Sequence, residues 1–211
     1  METGKPATEK TEGWRGSREL WLNAASAAFV AGGEAAVKIQ PLAQQLKLSR
    51  TSFYWFFKDR DALLAALLDH WEAVNTAAIE RACAAYAESL TEGVLNLLFE
   101  FLDERAFDPR FDFAVRGWAI RSEAVNARVA RADAARIAAI RGLFERFGLT
   151  GEGADVRAHA VYLVQIGYIS MQITETLETR LKRVPHYVRT YTGEAPSERE
   201  MARFRARLGQ G

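Results

Sequence analysis

Cysteine is almost missing from this chain: Cys83 stands alone among 211 residues. No internal disulfide can form, and a reducing, cytoplasmic setting is expected. Histidine is scarce as well. His70, His159 and His186 lie far apart, without HExxH or CxxC spacing and without a glycine-rich phosphate loop. No metal, no cofactor and no enzymatic activity is therefore expected. No apolar run reaches the roughly 18 residues that a membrane helix needs. The five prolines are spread thinly, and no alternating β-branched run bounded by turn residues suggests a strand. A net charge of +1 excludes a strongly basic coat protein and a strongly acidic one.

What is present is helical. Ala, Leu, Arg and Glu dominate, and the segment "METGKPATEKTEG" reads as a loose tail over residues 1–13. A first helix is expected over about 15–31, ended by Gly32 and Gly33. Two short helices follow, at about 40–46 and 49–56, and a long one runs from near Lys58 past Trp71. Further helices are read over "SLTEGVLNLLFEFLDER", stopped by Asp108 and Pro109, and over about 122–147 and 154–180. Pro185, Gly193 and Pro196 then suggest a long irregular connection. Ser197 with Glu200 forms a capping box opening a final helix to about 208. Residues 1–60 carry nine Lys/Arg against six Asp/Glu, whereas the remainder carries nineteen against twenty-one. The amino-terminal part is thus the side that can meet an anion.

The stretch "PLAQQLKLSRTSFYWFF" fits a helix-turn-helix. Leu42, Leu46, Leu48, Phe53 and Phe56 supply the apolar positions, Ala43 the close crossing, and Ser49 an N-cap. Pro41 can sit in the first turn of the leading helix. If the second helix enters a major groove, Arg50, Thr51 and Ser52 face the bases at its amino end, followed by Tyr54 and Trp55. An arginine can grip guanine bidentately, and hydroxyls can reach phosphates. Lys38, Gln40, Lys47, Ser49 and Lys58 flank this helix where phosphates would pass. Phe53, Phe56 and Phe57 read as core; Tyr54 and Trp55 are open between DNA contact and packing.

Residues 15–71 resemble the DNA-binding domain of TetR (tetracycline-repressor) family transcriptional regulators. The resemblance rests on the alanine-rich first helix, its Gly-Gly end, "PLAQQLKLS" and "SFYWFFKDRDALLAALL". Two positions depart from the family pattern. Lys38 stands where Ser or Thr is usual, and Lys47 replaces the turn glycine, a left-handed position costing a non-glycine residue about 1 kcal/mol. The resemblance implies an all-α fold of about nine helices: a three-helix helix-turn-helix domain over 14–60, and a helical ligand-binding and dimerisation domain over 61–211. It implies a homodimer, double-stranded operator DNA as partner, and a small-molecule effector of unknown identity. Trp71, Phe99, Phe101, Trp118, Tyr162, Gln165 and Tyr168 offer rings and polar tips for such a ligand, or are core. Arg116 or Arg121 can pair with a carboxylate or be solvated. The segment "VYLVQIGYISMQI" (161–173) is apolar nearly all round, so a second copy, paired through it and the final helix, is expected to cover what one core cannot. A helical interaction or small-molecule-binding module that does not bind DNA is the alternative reading.

Overall fold

The computed structural model describes residues 16–103 and 106–209, so the tail read over 1–13 lies outside the described residues. Most helix starts follow from short polar caps, each of whose side chains satisfies a backbone N–H left without a partner in the first turn. Ser17 opens α1 (Arg18–Gly32), Ser49 opens α3 (Arg50–Phe53), and Asp59 opens α4 (Arg60–Trp71). The short α2 (Ile39–Leu46) has Lys38 at its cap position and no side-chain cap bond. Beyond α4, five residues (Glu72–Thr76) form a π-turn that leads without a break into α5 (Ala77–Ala84). Ser89, Asp108 and Ser122 open α6 (Leu90–Leu102), α7 (Pro109–Ala119) and α8 (Glu123–Arg146). The last three helices are α9 (Glu152–Ser170), α10 (Leu177–Thr192) and α11 (Glu198–Arg207). No strand occurs among the described residues.

Two apolar clusters hold these helices together. The first joins α1 to α4 with one face of α7 and the first half of α8, around Trp21, Phe29, Phe53, Leu63 and Trp71. The second joins α5, α6, the second half of α8 and α9 to α11, around Ile79, Leu97, Phe144, Tyr162 and Val188. Because α7 and α8 serve the first cluster, the helix-turn-helix head is packed onto the body rather than tethered to it.

The chain departs from the sequence expectation in its carboxy-terminal half. Eleven α-helices stand among the described residues rather than about nine. Pro109 does not end a helix; it occupies the first turn of α7, where its missing N–H is harmless, and Asp108 caps both Arg110 and Phe111. The helix expected over 154–180 stops at Ser170, and the chain turns through Gln172 at φ 50°. The irregular connection expected after Pro185 is α10, with Pro185 inside it. Buried Val184, Val188 and Tyr191 anchor one face of that helix, which outweighs the hydrogen bond the proline removes. Finally, α11 is committed to α6 rather than standing beside α9. Glu200 accepts from Ser89 and Thr91, Arg203 pairs with Glu92, and Arg207 donates to Asn96.

The expected capping box is present, with Glu200 bonded to both the backbone and the hydroxyl of Ser197. Burial alone would push the Glu200 carboxyl up, but the hydrogen bonds from Ser89, Ser197 and Thr91 bring it down to about 2. Its folded value lies below its unfolded one, so the carboxylate stabilises the fold above about pH 4.5 and that contribution is lost as pH falls towards 2. Glu200→Gln should cost about 1 kcal/mol near neutrality. Thermal unfolding across pH should show the gap to wild type closing below pH 4.5; a gap of constant size would contradict this role.

Candidate DNA-binding face and ligand-binding core

The turn between α2 and α3 is built around Lys47, which takes the left-handed conformation at φ 56° and ψ 37°. That is the geometry a glycine would adopt more cheaply, and Leu48 N–H closes it by donating to the Ala43 carbonyl at 2.9 Å. Ser49 then caps α3, its hydroxyl accepting from Ser52 N–H at 3.2 Å. Below the helix, Phe53 meets Trp21 edge-on at 5.3 Å and stacks on Phe57 at 5.5 Å. These rings fix the rotation of α3 and so decide which residues look outward.

Outward-facing are Arg50, Thr51, Tyr54 and Trp55, with Lys38, Gln40, Lys47, Ser49 and Lys58 exposed around them. Tyr54 is 50% and Trp55 65% exposed, so both rings keep much of their surface open even though Tyr54 meets Phe53 edge-on at 5.3 Å. Ser52 is a correction to the sequence reading. It is buried, and its hydroxyl is spent on the Ser49 carbonyl at 2.7 Å, because at its place in the helix it points back under the turn. Arg60 is half-buried and bonded within the chain. It donates to the Val37 and Glu34 carbonyls at 2.7 and 2.6 Å and pairs with the Glu34 carboxylate, pinning the loop before α2 to α4.

The seven residues considered for a ligand separate into different places. Phe101, Gln165 and Tyr168 line one cavity between α6, α9 and α10. Phe99 lies beneath α11, with the Arg207 guanidinium 4.0 Å from its ring centre. Trp118 packs edge-on against Phe29 of α1 at 5.8 Å. Trp71 and Tyr162 belong to a buried polar cluster that the sequence reading did not identify.

The cluster is centred on Asp112, whose side chain is fully buried. One of its oxygens accepts from Trp71 Nε1 at 2.8 Å and from Arg136 Nη1 at 2.9 Å. The other accepts from Arg116 Nε at 2.7 Å. Arg116 also pairs with Asp133, to which Tyr162 donates at 2.6 Å. Arg136, itself fully buried, lies 4.8 Å over the Trp71 ring and donates to the Thr76 hydroxyl at 3.0 Å. Next to it, Asn75 in the π-turn exchanges two hydrogen bonds with the Asp108 backbone. Burial alone would raise the Asp112 carboxyl, but Arg136 and Arg116 hold it below the usual carboxylate range. Arg116 is accordingly neither solvated nor free for a ligand carboxylate, whereas Arg121 is exposed.

A signal for Arg136 does exist in the sequence. Val125, Val129, Ala132, Arg136 and Ile140 are buried in one helical phase of α8, so this arginine stands where an apolar residue belongs. Asp112→Ala should leave Arg136 buried without its counter-charge and cost about 3–5 kcal/mol. Chemical denaturation is the measurement; a loss below about 1 kcal/mol, typical of an exposed pair, would show that the cluster is not a joint.

Residues 22–67 match the family described as "Bacterial regulatory proteins, tetR family". Among solved structures, Escherichia coli NemR in its reduced form shares 14% identity at a TM-score of 0.63, covering 85% of this chain and 97% of its own. Mycobacterium smegmatis AmtR shares 18% at 0.60, covering 95% and 97%. SmeT, the repressor of the Stenotrophomonas maltophilia multidrug efflux pump SmeDEF, shares 18% at 0.58, covering 88% and 93%. No curated protein matches the chain. At these identities the solved structures establish the common all-helical fold and nothing finer. The head, over residues 22–67, is similar to the tetR family of bacterial regulatory proteins.

Proposed function

We propose that this protein is a sequence-specific transcriptional repressor that binds a pseudo-palindromic operator as a homodimer and is released by a small molecule. The observation that carries the reading is the outward face of α3. Arg50, Thr51, Tyr54 and Trp55 are uncovered on a helix whose rotation is locked by Phe53 and Trp21. A cation and a hydroxyl at the amino end of such a helix, with two rings in the turn just after it, suit base edges and phosphates. In this reading residues 14–60 form the DNA-binding domain and 61–211 the ligand-binding and dimerisation domain. SmeT, which shares the fold, is a repressor, and that supports repression over activation. No helix among the described residues is long and apolar enough to cross a membrane, and a cytoplasmic location belongs to the same proposal.

Support for a dimer comes from α9. Leu163 is 58% exposed, and Val156, Val164 and Met171 are also uncovered large apolar side chains. Val156, Ala160, Leu163 and Gly167 repeat at four- and three-residue spacing, which puts them on one stripe. Because α11 is engaged with α6, a second copy of α9 is the better cover for this stripe. Two heads would then present their recognition helices to half-sites about 34–36 Å apart, or a multiple of that.

Selection from random DNA with purified protein should return a two-fold site. On it, Arg50→Ala should relax preference at one base position by about 1–3 kcal/mol. Lys58→Ala should weaken all sequences alike and lower the salt slope by about one. An unchanged affinity in Arg50→Ala would overturn the assignment of α3. For the dimer, Leu163→Glu should halve the mass measured at micromolar concentration; a monomeric wild type would refute the pairing.

A further inference from the structure

On the effector reading above, we propose that the cavity between α6, α9 and α10 takes a small uncharged ring compound bearing an amide-type group, recognised by Gln165. Gln165 is 6% exposed and lines that cavity, and its amide makes no hydrogen bond within the described residues. A glutamine amide offers two N–H donors and a carbonyl acceptor, which only water can meet in the cavity as it stands, and a ligand that covers them unpaired is penalised. The group that repays this best both accepts and donates in one plane, as a carboxamide or a lactam does.

The surrounding wall sets the rest of the ligand. Leu98 and Phe101 of α6, Val161 of α9 and Val184 of α10 are apolar and suit a ring. The hydroxyls of Tyr168 and Tyr187 are 3.2 Å apart and bonded to each other, and Arg183 donates to the first of them. Among the described residues, Gln165 and the Tyr191 hydroxyl are thus left as the open polar groups of the wall, and Gln165 alone offers both donors and an acceptor in one plane. Among the described residues no carboxylate lines the cavity, and the one charged side chain there is Arg180, stacked over the Tyr168 ring at 5.0 Å. A cation would meet a like charge. A carboxylate at Gln165 would be stripped of water while Arg180 is already held over the Tyr168 ring.

The cavity measures about 40 Å³, which is room for a water or two, whereas a benzene ring needs roughly 150 Å³. Admitting a ring must therefore move α10 away from α9 and α6. Pro185 lies within α10 and gives the preceding turn no N–H, so the helix is weakest at that point. On the other side, Val161 and Gln165 flank Tyr162, whose hydroxyl receives Arg116 and Arg136 at 3.0 and 3.1 Å. Widening the seam thus pulls on the cluster that holds Trp71 at the end of the head's last helix. A ligand acts through such a movement only by binding the widened form better.

The test uses the full-length protein and four ring compounds of similar shape: benzamide, benzoate, benzylamine and toluene, with binding read by ligand-detected NMR. Benzamide should bind roughly tenfold more tightly than toluene, the worth of a buried hydrogen bond, and benzylamine should not bind. In Gln165→Leu, benzamide should fall to the level of toluene while circular dichroism stays that of wild type. Val184→Trp, which fills the cavity, should abolish binding of the whole series. Equal binding of benzamide and toluene, or an unchanged benzamide affinity in Gln165→Leu, would mean that the amide is merely hydrated and overturn the proposal. Release of a selected operator is scored separately. Gln165-dependent benzamide binding without release would leave the ligand class standing and sink the effector reading. Release by another compound, with none of the four bound, would do the reverse.

Discussion

The fold turns on one buried carboxylate. Asp112 accepts hydrogen bonds from Trp71 on α4, from Arg116 on its own helix and from Arg136 on α8. A buried carboxylate is tolerable only while its positive partners stay, and Arg136 is tolerable only while Asp112 stays. The constraint is mutual, so α4, α7 and α8 are held in one arrangement where an apolar contact would allow sliding. The helix held at its far end by Trp71 begins at Arg60, which in turn pins the loop before α2 through Val37 and Glu34. The orientation of the helix-turn-helix is therefore set from inside the body of the protein.

Much of the head was legible in the sequence because its signals are local. A serine cap, a small residue at a helix crossing and an aromatic run each act over a few residues, and Lys47 adopts the left-handed turn expected where a glycine would be cheaper. The capping box at Ser197 and Glu200 was readable for the same reason. The body was harder. Pro185 signals a break, yet Val184, Val188 and Tyr191 bury enough apolar surface to carry α10 through it; tertiary packing outweighs the local preference. Pro109 reads as a stop but begins α7, because the same residue serves either role and only its neighbours decide.

Site residues divide along the same line. Arg50 and Thr51 at the start of α3, and Tyr54 and Trp55 just after it, are exposed. Ser52 falls on the inner side of a helix only four residues long, too short for its phase to be read from sequence. The rings considered for a ligand shared no local pattern that would separate pocket from core. Trp71 and Tyr162 serve the polar cluster, whereas Phe101, Gln165 and Tyr168 meet at a cavity formed by three helices distant in sequence. Asp112 and Arg136 were missed because their pairing joins residues 24 positions apart on different helices.

The central claim is that the Asp112 cluster fixes the heads relative to the body. It can be measured by attaching a spin label at the exposed position 61, as Asp61→Cys, and recording the distance between the two heads of the proposed dimer. Cys83 is buried with its thiol pushed up to about 12 by burial, so it should stay unlabelled. The account predicts one narrow distance in the otherwise wild-type protein, and a broad distribution once Asp112→Asn is added, with the dimer intact. Equally narrow distributions in the two proteins would contradict it.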